Sequence, residues 1–97
     1  MTANLTNARR RAVYQRDHFR CILCDSTDGI QIHHYVPRGC GGKNSMHNLV
    51  TLCWRCHATA HGTEIYPHFN ENDVAEGCAE YLVEIYGNDW DPYKGEA

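Results

Sequence analysis

The sequence predicts a small α+β domain in which a two-stranded hairpin and a short helix are flanked by an N-terminal and a C-terminal helix. Three observations predict it. Two Cys-x2-Cys knuckles, Cys21 with Cys24 and Cys53 with Cys56, have the spacing that lets paired thiolates grip one tetrahedral ion. Between them, two short β-rich runs are separated by a glycine-rich loop. Finally, 97 residues with 42% apolar and 22% charged composition allow one globular domain, and a core this small commonly adds a metal, a disulfide or a partner subunit.

The first element is a helix over residues 6–17. Thr6 or Asn7 can cap it, and Leu5, Ala8, Ala12 and Val13 give a narrow apolar stripe that leaves Arg9, Arg10 and Arg16 pointing away. From 19 to 62 the chain is dense in Cys, His and Gly. Ile30 to His34 reads as a strand that stops before Pro37, and Asn48 to Leu52 as its hairpin partner. Gly39, Gly41 and Gly42 supply an irregular loop between them. After Cys53, good helix formers run to Gly62, a natural stop. A second long helix is predicted over 71–86, with Val74, Cys78, Tyr81, Leu82 and Ile85 on its apolar stripe and Glu76, Glu80 and Glu84 on another. That stripe packs on the metal-bearing module or on a second subunit. Residues 88–97 show no periodicity and read as a tail.

No run approaches the ~18–20 apolar residues of a membrane span, and the opening MTANLTNARRR lacks the apolar segment of a secretion signal. A cytoplasmic location, with no membrane partner, is the expectation. There thiols stay reduced, so the four knuckle cysteines read as ligands of a structural Zn²⁺ rather than as disulfides. Cys53 to His57 also fits a haem c attachment pattern, but that chemistry normally follows export. A redox pair would use one Cys-x2-Cys beside a βαβ unit, which is not visible here. The 28 residues from Asp25 to Leu52 exceed the roughly 15–20 of a bare zinc ribbon, so the insert carries something more.

That extra content is histidine. His57 and His61 lie four apart on one helix face and can share an ion. His33 and His34 are adjacent on a strand, so one can ligate while the other serves a different task. Three imidazoles, His33, His57 and His61, would make an open metal site, unlike the saturated thiolate site. Phosphodiester hydrolysis needs a base for the attacking water and a cation for the developing charge; His34 and the ion could supply them. Asn48 could fix the turn that carries His34. Charge agrees with a polyanionic substrate: residues 1–61 carry eight basic against three acidic side chains, a net of +5, whereas 62–97 carry one against nine, a net of −8.

Taken together, His33-His34, Pro37, the glycine loop, Asn48-Leu49, Leu52-Cys53-x2-Cys56-His57 and His61 resemble the HNH endonuclease motif, over roughly Arg9 to Gly62. The resemblance implies a zinc-stabilised ββα-metal, treble-clef-like finger with flanking helices, making residues 1–97 a single nuclease domain. It implies that His33 binds the catalytic metal, His34 is the general base, Asn48 orients the base loop, and His57 with His61 completes the metal site. Many members of that family have an acid where His33 stands; a histidine there leaves Mg²⁺, Mn²⁺, Ni²⁺ and Zn²⁺ all open as the single divalent cofactor. The expected partner is DNA, hydrolysed to 5′-phosphate and 3′-hydroxyl ends, with Arg9, Arg10, Arg16, Arg38, Lys43 and Arg55 as phosphate contacts. No long recognition helix rich in Arg, Asn and Gln is visible, which points to weak sequence preference or to specificity supplied by a partner. A homodimer and a place in a phage or mobile-element nuclease complex stay open, as does the alternative of a non-catalytic zinc module binding nucleic acid or protein.

Overall fold

The computed structural model describes residues 5–95. Helix α1 spans Asn7–Arg16 and begins where Thr6 Oγ1 accepts the Arg9 amide at 3.1 Å, satisfying a donor that the first helical turn leaves open. Strand β1, Gln31–His34, pairs antiparallel with β2, Leu49–Leu52, in the register Gln31 to Leu52, Ile32 to Thr51, His33 to Val50 and His34 to Leu49. Helix α2, Trp54–Ala60, starts one residue after Cys53 caps it, and α3, Glu71–Tyr86, opens with a reciprocal capping box between Asn70 and Asp73.

The hairpin connection is a built loop. Residues 35–48 double back with a 3₁₀ turn at Arg38–Cys40, and Gly42 donates its amide to Pro37 O at 3.0 Å. A side chain at 42 could not be accommodated, because its Cβ would lie 1.8 Å from Val36 O. Asn48 closes the loop from within: its Oδ1 accepts from Val36 N (2.7 Å), and its Nδ2 donates to Val36 O (3.1 Å) and Lys43 O (2.9 Å). The Asn48 side chain is wholly buried and both its polar atoms are satisfied, as a buried amide requires.

The core gathers Cys21, Val50, Leu52, Cys53 and Cys56 from the knuckles and β2 against Val74, Cys78 and Leu82 of α3. These last three repeat at four-residue steps, so α3 lays one stripe on the cysteine-bearing module within the same chain. Ile85, expected on that stripe, is 40% exposed, whereas Tyr86, the next residue and four after Leu82, packs against the core. The segment read as a tail is docked along residues 88–95: Trp90 packs on Tyr35 and donates to His47 O at 2.7 Å, and Ser45 Oγ donates to Lys94 O at 2.8 Å. Among the described residues no helix is long and apolar enough to cross a membrane.

Candidate active site

The two knuckles converge. Cys21 and Cys24 come from the turn before β1, while Cys53 and Cys56 come from the start of α2, and one sulfur of each lies within 4.8 Å of the others. Four ligands about 2.3 Å from a tetrahedral centre sit about 3.8 Å from one another. The Cys24–Cys53 and Cys24–Cys56 sulfur separations are 3.5 and 3.9 Å. Burial and the neighbouring Cys21 and Cys53 push the Cys56 thiol far above its usual range, so this cluster cannot hold four thiolates without a cation among them. The donor set therefore fits a structural Zn²⁺.

A second cluster lies at the other end of α2. The rings of His33 and His57 are 5.3 Å apart, those of His33 and His61 5.7 Å, and those of His57 and His61 4.7 Å. His57 Nε2 and His61 Nε2 approach to 3.2 Å, near the ~3.3 Å expected of two imidazoles bound at about 2.0–2.1 Å to one tetrahedral ion. His57 Nδ1–H donates to Gln31 Oε1, which leaves the Nε2 lone pair turned toward the cluster. Burial, then the nearby His57, His61 and His34, hold His33 down at about 4, and burial followed by His61 and His34 lowers His57 also. Both are neutral at pH 7, the form that ligates.

His33, His34, His57, His61, Arg38 and Glu71 line one cleft of about 420 Å³. Adjacent strand residues ordinarily face opposite ways, but β1 ends at His34, which lets this ring reach the same cleft as His33. His34 Nε2–H donates to Asn44 Oδ1 at 2.8 Å, leaving Nδ1 as the unprotonated ring nitrogen. Asn48 does not touch the ring. It fixes the peptide that follows, where Tyr35 N donates to Asn48 O at 2.8 Å and Val36 is held from both sides.

Residues 21–63, which contain both clusters and the loop between the strands, match the family model described as HNH endonuclease. That matched stretch is 43 of the chain's 97 residues. The chain is similar to a protein described as "Probable mobile endonuclease C" of Enterobacteria phage T4, with 46% identity over 33 residues, 34% of this chain and 16% of the phage protein. The chain thus spans a small part of that relative's length. It is also 28% identical over 57 residues to "Anaredoxin" of Nostoc sp. (strain PCC 7120), covering 58% of this chain and 75% of the cyanobacterial protein. No solved structure matches.

Around the HNH core the expected phosphate contacts separate. Arg16 does not point away: its side chain is 12% exposed and engages Asp17, Met46 O, Leu49 O and Tyr86 Oη, because α1 packs this face against β2 and α3. It is a structural cation, which corrects its expected place among the DNA contacts. Arg55 pairs with Asp28 at 3.2 Å and covers the Trp54 ring. Arg10, Arg38 and Lys43 are exposed and Arg9 is half-buried. The His47 ring packs against that of Tyr86, with centroids 4.2 Å apart. Three residues around the histidines carried no sequence signal strong enough to single them out. Gln31 lies two before His33 and so shares its strand face, which alternation could have revealed. Asn44 sits in irregular backbone, and Glu71 arrives from α3 through tertiary packing alone.

Proposed function

We propose that this protein is a metal-dependent endonuclease that hydrolyses DNA phosphodiester bonds, with the described helices and hairpin acting as one nuclease domain in the cytoplasm. The observation that carries the reading is the shared cleft, in which three neutral-capable imidazoles face one point beside a fourth that has a ring nitrogen to spare. His33, His57 and His61 would hold one divalent ion, which when bound neutralises charge on the scissile phosphate and the departing oxygen. A purely structural zinc module has no use for His34 beside that point.

In the reaction water adds to phosphorus and the bond to the 3′ oxygen breaks, giving 5′-phosphate and 3′-hydroxyl ends. His34 Nδ1 takes the proton of the attacking water, and solvent protonates the leaving oxygen. Asn44 Oδ1 holds the Nε2–H, which keeps the accepting nitrogen free and becomes a charge-assisted bond once the ring is an imidazolium. Asn48 keeps the peptides after His34 in place, so the ring does not drift as charge develops. One cleft per chain cuts one strand at a time. The name of the phage relative makes service in a mobile genetic element the natural biological setting.

The test is supercoiled plasmid incubated with Mg²⁺, Mn²⁺, Ni²⁺ or Zn²⁺. Wild-type protein should give nicked circles with at least one metal and none with chelator. His34→Ala should abolish nicking while folding and DNA binding persist. Undiminished cleavage by His34→Ala removes the base assignment, and absence of cleavage with every metal favours a non-catalytic zinc module.

A further inference from the structure

The fold distributes the basic side chains unevenly about His34. Arg16 is spent inside the molecule and Arg55 is paired with Asp28. Arg10 of α1 and Arg38 of the 3₁₀ turn, 28 positions apart in sequence, converge with Leu5, Ile32 and His34 on a recess of about 320 Å³. This recess adjoins the histidine cleft, since Ile32, His34 and Arg38 line both. Glu71 lines the cleft alone, and its carboxylate reaches toward Gly62, the residue after His61. A polyanionic strand arriving at His34 therefore meets repulsion near His61 and two guanidinium groups on the Arg10 side.

We infer that the Arg10–Arg38 recess seats the backbone phosphate next to the one being cut, so that an efficient substrate presents two consecutive phosphodiesters. The inference rests on the nuclease reading above and adds to it a direction for the strand and a minimum substrate. His34 belongs to the walls of both hollows, so a strand lying across it fills them together. Guanidinium groups present planar forks matched to phosphate oxygens, and two of them approaching from separate elements bind charge without reading a base. Leu5 and Ile32 give the recess an apolar wall suited to the deoxyribose between the two phosphates.

Methylphosphonate linkages, which are uncharged, test this in synthetic DNA with a mapped cut site. Neutralising the adjacent linkage on one side of the cut should lower kcat/KM of wild-type protein by about 10- to 100-fold, the range of a lost charge-assisted contact, while neutralising the other side should do far less. In the Arg10→Gln/Arg38→Gln double variant the same replacement should make no difference, because the partner is already gone. A wild-type enzyme indifferent to both neighbouring charges, or a double variant as sensitive as wild type, overturns the seat. Should wild-type protein cut nothing, the nuclease reading fails and anisotropy of labelled DNA decides the seat separately. The slope of log K against log salt should then be shallower in the double variant by about 1 to 2; an unchanged slope rejects it.

Discussion

Arg16 and Asp17, neighbours in the chain, face each other side chain to side chain inside the molecule, through N–H···O bonds of 2.7 and 3.0 Å. The pair is a junction rather than an isolated bridge. Arg16 also donates to Leu49 O at 2.6 Å and Met46 O at 2.7 Å, and Asp17 accepts from Thr51 N at 2.9 Å and Tyr81 Oη at 2.6 Å. Burial opposes the Arg16 charge, yet the Asp17 carboxylate more than restores it, and burial with the Asp17 bond raises the Tyr81 phenol above its usual range. Two side chains at the end of α1 thereby tie together β2, its preceding loop and α3.

Removing either member should strand the other. Asp17→Ala should cost about 3–5 kcal/mol in urea unfolding, the penalty of a buried charge left unpaired. Arg16→Ala should cost a similar amount. The double variant should lose clearly less than the sum, since the second deletion removes the charge that the first exposed. Additive losses would show that the two residues act independently.

The thiolate cluster has a different role from the histidine cluster, and metal removal should separate them. Cys21→Ser should lose cooperative thermal unfolding by circular dichroism, because zinc binding of the order of 10–16 kcal/mol is folding free energy in domains with so little core. His57→Ala should retain the thiolate-bound metal and melt cooperatively. Cobalt substitution reads the distinction, since a sulfur-to-metal charge-transfer band should survive in His57→Ala and vanish in Cys21→Ser.

Gln31 meets the histidine cluster through His57 Nδ1, fixing which ring nitrogen carries the proton. Gln31→Leu should weaken divalent ion binding at the histidine cluster by about 10- to 100-fold in calorimetry. Its melting temperature should hardly move, because Gln31 is exposed. Unaltered affinity would mean that the ring is oriented by packing alone.

Local chemistry wrote most of the core into the sequence. The knuckle spacing, the His57–His61 step along α2 and the alternation ending at His34 are short-range patterns, and each reappears as geometry. Arg16 shows what such patterns miss. Its charge argues for solvent although it lies three residues after Val13 on the same helix face, and it becomes interior once Arg16 and Asp17 recruit partners more than 30 positions away. Asn44 and Glu71 likewise acquire their surroundings from loop closure and from the docking of α3. The segment after Gly87 was read as a tail because aperiodic chain gives no signal of what it will lie upon.

That segment supports the loop after His34. Trp90 packs edge-on to Tyr35 at 5.3 Å and donates to His47 O, and Lys94 O receives the Ser45 hydroxyl. These contacts fall immediately beside His34, Asn44 and Asn48, so the strap braces the loop at three points without entering the cleft. Trp90→Ala should cost less than the about 3–5 kcal/mol of a fully buried tryptophan, because this ring is half-exposed. Its larger effect should be on motion: the Tyr35 and Val36 amides, which donate to Asn48, should exchange with deuterium faster, while amides of α2 keep their protection. Plasmid nicking should slow through kcat with divalent ion affinity unchanged, since His33, His57 and His61 lie outside the braced loop. Equal acceleration of exchange throughout the domain would assign Trp90 to global stability and remove its part in holding this loop.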